Sequence, residues 1–356
     1  MVRDVKGNTL LNISVGTIAV FVLGAMLLQL KTVLMPFVIA TLLSIIFKPI
    51  ILGLKKRKIP TFAALFGVLI LFSLFLFLLG WVVFASVDTF VNELPKYEAK
   101  ISVIAADTES TLMGWAEQFN IEVTDFKWSN AIEISSVTSA LTTGLGSFIS
   151  FITTTFLVLL FMLFILASSG ELSSKVREVY PTQHADWMAS VLKTVDSQVR
   201  QYLVTKTIVS LGTGVLTWLV LLILGVDFPL VFGFIAFILN YIPNIGSTIA
   251  VLFPFALTLL QFETLGVPAM VILGLGGIQV VMGNAIEPRI MGYTLNISPL
   301  LILVSLIFWG WLWGIWGMVL AVPMMATIKI VMENLEATRP LARLMGGRGR
   351  GSRNQS

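Results

Sequence analysis

The sequence predicts an all-α polytopic membrane protein: about six full spans plus two broken, re-entrant helical hairpins in an inverted repeat. Three observations lead there. Of 356 residues, 57% are hydrophobic and 12% charged, against about 25% charged in a soluble domain. Several apolar runs approach the ~20 residues that a helix needs to cross a bilayer. Two further apolar blocks, 229–254 and 298–331, are interrupted in their middles by Asn, Pro, Gly or Trp.

The composition also excludes much. There is no cysteine, so thiol chemistry, disulfides and thiolate metal sites are absent. The single histidine, His184, lies in a polar segment, reads as solvated and cannot form a histidine-cluster metal site. No phosphate-binding Gly-rich loop, His-Glu-x-x-His or spaced pair of intramembrane aspartates is present. An enzyme is therefore not expected, nor a cofactor. The net charge of +4 reads as membrane topology rather than nucleic-acid binding.

Residues 10–30 form the first span; they are too long for a signal-peptide core and lack a clear cleavage site. Lys31 marks a tight turn into span two, 33–54. The run Lys55-Lys56-Arg57-Lys58, closed by Pro60, is cytoplasmic by the positive-inside rule, which puts the N-terminus inside. Span three is 61–87, completing an N-terminal region of 1–87.

Residues 88–146 hold nine acidic and three basic residues. Tyr97, Ile101, Ile104, Leu112, Trp115 and Phe119 recur at helical spacing. This is an extracytoplasmic helical insert, ended by Gly144 and Gly146. Span four, 147–167, returns inward. In 168–206, Trp187, Val191, Val195, Val199 and Tyr202 form one apolar stripe. That helix rests on the inner surface or the bundle, or serves as a coupling element. The C-terminal core is 207–335, with span five over 207–224 and span six over 266–283. Gly274, Gly276 and Gly277 permit close helix approach in span six. Residues 336–356 are a basic, disordered, cytoplasmic tail.

The stretch from Pro229 to Pro254 organises the core. Each of its arms has about 11–14 apolar residues, or ~16–21 Å of helix, short of the ~30 Å hydrocarbon core. The break between them would free backbone polar groups, which are tolerated at membrane depth only in a protein-lined or wet site. A hairpin fits this better, although one long helix kinked at Pro243 also fits.

The block from Pro299 to Pro323 repeats the layout, with Trp309-Gly310-Trp311-Leu312-Trp313-Gly314-Ile315-Trp316-Gly317 at its centre. Ile245-Gly246-Ser247 falls within one residue of Ile315-Trp316-Gly317. Each block follows one Gly-containing span, so the unit of span plus broken block occurs twice with opposite topology. Broken helices of two inverted repeats form the binding site in many secondary transporters. Coincidental spacing is the competing reading, with eight full spans as the rival architecture.

Polar groups inside a bilayer are costly and default to functional hypotheses. Asn240, Pro243, Asn244, Gly246, Ser247, Thr248, Gln279 and Asn284 are the candidate solute-binding residues. The amides of Asn240 and Asn244 both donate and accept, which suits a neutral polyhydroxyl solute. Ser247 and Thr248 open the second arm, where a helix N-terminus favours a carbonyl or anion. Simple capping of the broken helices is the alternative. Glu287 and Arg289 flank Pro288, as an interfacial ion pair, as a cation or proton site, or as a latch. Trp309, Trp311 and Trp313 pack the second block or gate it.

The motifs Asn240-Tyr241-Ile242-Pro243-Asn244-Ile245-Gly246-Ser247, Gly283-Asn284-Ala285-Ile286-Glu287-Pro288-Arg289-Ile290-Met291-Gly292 and Ser305-Leu306-Ile307-Phe308-Trp309-Gly310-Trp311 resemble the autoinducer-2 exporter family of bacterial membrane proteins. Gly317-Met318-Val319-Leu320-Ala321-Val322-Pro323 strengthens the resemblance, which covers nearly the whole chain to about Leu335. It implies an inner-membrane protein that exports a small furanone-type quorum signal; the charge bias puts both termini in the cytoplasm. Sodium/proton antiport, described for other members, is the alternative, and a passive channel or scaffold is the third reading. The expected partners are a small polar solute, Na+ or H+, lipid and further copies of the chain.

Overall fold

The computed structural model describes residues 3–118, 153–168, 182–291 and 296–347, and every regular element among them is helical. Among these, α1 is Arg3–Gln29, α2 Lys31–Lys56 and α3 Thr61–Gln118. Helix α4 is Thr153–Ser168. Then come α5 (Thr182–Ile223), α6 (Pro229–Leu239), α7 (Ile245–Gln261) and α8 (Gly266–Val280). A π-helical turn, Val281–Ile286, leads into α9 (Glu287–Met291), followed by α10 (Pro299–Asn334) and α11 (Arg339–Leu344). Five helices are long and apolar enough to cross a membrane, in α2, α3, α5, the α8–α9 run and α10. The protein is a multi-pass, all-α membrane protein.

Three junctions differ from expectation. Leu30 alone separates α1 from α2, and helical hydrogen bonds flank it, from Leu30 N–H to Met26 and from Leu34 N–H to Leu30. The join is a bend, not a tight reversal at Lys31. Helix α3 is continuous over 58 residues, so the insert begins as an extension of the helix of span three. Phe119, Gly144 and Gly146 lie outside the described residues, as does the first part of span four. Helix α5 is likewise continuous over 42 residues. Its amphipathic half and span five are one helix, because no Gly or Pro stands between Thr182 and Leu211. Val191, Val199 and Tyr202 of its stripe are buried, whereas Trp187 is exposed.

The helices fall into two compact units. One comprises Ile70–Ile152 and Thr205–Ile290, the other Met1–Leu69, Thr153–Val204 and Met291–Ser356. The first holds the first broken block. Its core gathers Leu221, Val226, Leu257, Val271 and Leu275 with Tyr97 from the α3 extension. The second holds the second block.

Both blocks are hairpins. In the first, a methyl added at Gly246 would overlap the Leu239 carbonyl, so α6 and α7 meet back to back at their tip. In the second, a methyl at Gly317 would overlap the Trp309 carbonyl, eight residues earlier. A straight helix separates such residues by ~12 Å. Ser305 Oγ also donates to the Ala321 carbonyl at 3.1 Å across 16 residues. The reversal falls at Gly314, at φ 65°, ψ −145°, a region essentially restricted to glycine. The 36 residues of α10 are therefore two arms, and eight full spans is not the architecture.

The tail also departs from a wholly disordered reading. Ser298 N–H donates to the Met345 carbonyl and Gly347 N–H to that of Asn296, so α11 closes onto the base of the second hairpin. Ala342, buried, anchors it.

Candidate functional site

The first arm of the first hairpin, α6, lies antiparallel to α5. Gly214 and Gly233 meet so closely that a methyl on either would stand 2.7 Å from the other's carbonyl oxygen. Ser210, Thr213 and Thr217 are buried on the same face of α5. Small and hydroxyl residues at such a crossing let backbones approach inside a membrane. The arms begin and end together: Asp227 N–H donates to Gln261 Oε1 at 2.9 Å, and Gln261 Nε2 donates to the Gly225 carbonyl at 2.8 Å.

The α3 extension pins that base. Tyr97 donates its phenolic hydrogen to Asp227, Lys96 stands 3.7 Å from the same carboxylate, and Lys100 donates to the Gln261 carbonyl at 3.0 Å. Burial, then the hydrogen bond and charge of Asp227, hold the Tyr97 phenol protonated far above its ordinary range.

The tip reaches the other end of the α5 apolar run. Asn240, 7% exposed, donates from Nδ2 to Ser210 Oγ at 2.9 Å. The Tyr241 hydroxyl meets Thr207 Oγ1 at 2.7 Å. Next to Thr207 is Lys206, only 4% exposed, whose Nζ donates to both carboxylate oxygens of Glu287 at 2.7 and 2.8 Å. This two-oxygen grip compensates part of the desolvation that burying the charges costs. The expected Glu287–Arg289 ion pair is not formed: Glu287 turns to Lys206, and Arg289 is exposed. The π-helical turn directly precedes Glu287; single π turns within helices recur at functional sites. There Asn284 is exposed and Glu287 partly buried. Gln279 is half-buried on α8 before the π turn.

Between the arms, Ile245 N–H donates to the Pro243 carbonyl at 2.7 Å. Asn244 between them has φ 62° and ψ −52°. This is a γ-turn of the rare, strained hand. Strain of this order, ~1–3 kcal/mol, clusters at binding and switch sites. The tip backbone is otherwise well knit, contrary to a bare break. Gly246 N–H reaches Ile242, Thr248 N–H reaches Asn244, and the hydroxyls of Ser247 and Thr248 each donate to the Asn244 carbonyl at 2.9 Å. The Asn244 side chain makes no capping bond and is exposed. Pro243 is half-buried behind it.

In the second hairpin Trp309 and Trp313 are buried, with ring centroids 5.1 Å apart, whereas Trp311 is exposed. The structure thus brings together Asn240, Asn244, Ser247 and Thr248 at one tip and Trp309 with Trp313 in the other hairpin. It adds Lys206, Thr207, Ser210 and Tyr241, which sequence reasoning missed. The signal was available for Lys206: a lysine directly against an apolar span needs a partner, and Glu287 was the acid in want of one. Among the described residues, no three His, Asp or Glu side chains gather to hold a metal ion.

A profile described as AI-2E family transporter matches residues 16–337. The chain belongs to the AI-2E transporter family. Among its relatives is the AI-2 transport protein TqsA of Escherichia coli K12, 32% identical over 88% of this chain and 89% of that protein. A Haemophilus influenzae protein, provisionally named a transport protein, is 30% identical over 93% of this chain and 95% of its own. A Borreliella burgdorferi protein, likewise provisionally named, is 30% identical over 89% and 85%. The family, and the transport role that its members' names carry, agree with a polar tip on a membrane-spanning scaffold.

Proposed function

We propose that this chain is a secondary-type transporter that exports autoinducer-2, a small polar signal, across the bacterial inner membrane with both termini cytoplasmic. The observation that carries the reading is the strained turn at Asn244, whose amide is exposed and bound to no cap. A solute entering a dry site must exchange water hydrogen bonds for protein ones. One amide supplies donors and an acceptor together. The likeness to the AI-2 transport protein TqsA supplies the choice of solute. No metal or cofactor enters the scheme.

Cation/proton antiport is the second reading, favoured by the buried Lys206–Glu287 pair. Either a proton or a sodium ion on Glu287 would displace Lys206, coupling ion binding to the adjacent tip. The full chain reconstituted in vesicles decides. Autoinducer-2 efflux is expected. Sodium or proton exchange with no movement of the signal would establish antiport instead, and movement of neither would favour a channel or scaffold.

A further inference from the structure

We propose that the Trp309 indole N–H is a solute contact, the donor inside the second hairpin for an acceptor oxygen of the transported molecule. The inference rests on the transport reading and concerns the second hairpin by itself. Trp309 is 6% exposed, and its Nε1 has no hydrogen-bond partner among the described residues. Buried Trp N–H groups ordinarily find an acceptor, and a buried donor without one requires a reason. Its neighbour shows the ordinary outcome: Trp313 Nε1 donates to the Leu27 carbonyl at 3.3 Å.

Packing alone would be served by a phenyl ring, so the extra N–H is what needs explaining. The immediate neighbours of Trp309 are aromatic. Phe308 stands edge-on to Trp309 at 5.1 Å between centroids, and the Trp313 ring lies tilted at the same distance. Aromatic walls take the apolar faces of a small solute while a few placed polar groups orient it. The Trp309 backbone is fixed, because Gly317 packs directly on its carbonyl. The donor therefore needs little reorganisation to bind. Five residues on, Gly314 is exposed where the hairpin turns.

Trp309→Phe removes the donor and keeps a ring; Trp309→Tyr restores a donor. Autoinducer-2 transport by the reconstituted full chain is the readout, beside the Tm in detergent. The expected result is a KM raised about tenfold in the Phe variant, with Tm lowered only by the smaller buried ring, and partial recovery of KM in the Tyr variant. An unchanged KM in Trp309→Phe, with wild type active, overturns the assignment alone. Absent efflux in wild type overturns the export reading and this contact with it. Should the variants fail to fold, indole N–H resonances of 15N-labelled wild type decide. One protected indole is expected to shift on adding autoinducer-2, and none shifting would overturn the proposal.

Discussion

The first hairpin turns through Pro243-Asn244-Ile245 and sets amides and hydroxyls at its tip, beside a buried ion pair. The second turns at Gly314 and sets tryptophans there. Both are closed in one way. A positive-φ residue makes the turn, and two or three residues later a glycine seats on a carbonyl of the incoming arm. Closure is a backbone matter and tolerates no side chain at that glycine. The tip chemistry is free to differ, and it does. The bases differ too, the first pinned by Tyr97, Lys96 and Lys100, the second by the chain after α11. Common geometry with divergent lining separates scaffold from function.

The shared closure predicts the largest effects. Gly246→Ala and Gly317→Ala should each cost more than ~3 kcal/mol, since the neighbour is backbone and cannot rotate away. Folded yield in detergent measures this. Gly276→Ala, with open space around the glycine, is the control; it should be neutral or stabilising by up to about 1 kcal/mol. If either closure variant folds as well as the control, the two hairpins do not share this device.

The ion pair beside the first tip comes next. Lys206→Met leaves Glu287 without its partner and should cost roughly 3–5 kcal/mol. Replacing both members with apolar residues should cost less than either single change. Strictly additive losses in thermal melts would mean that the two groups do not interact. At the base, Tyr97→Phe loses one hydrogen bond to Asp227, worth about 1 kcal/mol. A loss on that scale, read by chemical denaturation, would sharpen the view that the α3 extension holds this hairpin alone.

Much of this fold was legible. Apolar runs of the right length marked the spans, and arms too short to cross marked the hairpins. The repeat showed in the spacing of Pro229 and Pro254 against Pro299 and Pro323, and in the aligned glycines. Continuity was not legible, because a charged amphipathic stretch joined to an apolar one reads as two elements. In α5 nothing between Thr182 and Leu211 breaks the helix, and the boundary exists only in polarity. At the site, Asn240 and Asn244 stood out as polar residues in an apolar block. Their different states did not: one is buried against Ser210, the other held at positive φ by a turn. Lys206 pairs across 81 residues, a contact only folding creates. The orphan N–H of Trp309 is visible only once its neighbours are placed.

The turn also decides how the central claim is tested. Alanine at position 244 would be strained by φ 62°, so lost function could not be told from lost folding. Glycine accepts that backbone and removes only the amide. Autoinducer-2 efflux kinetics of reconstituted Asn244→Gly, beside its Tm, therefore test the claim that this tip binds the solute. The expected result is a Tm near that of wild type, with KM raised about 5- to 150-fold by one unreplaced hydrogen bond. A KM equal to wild type at equal protein level would contradict it.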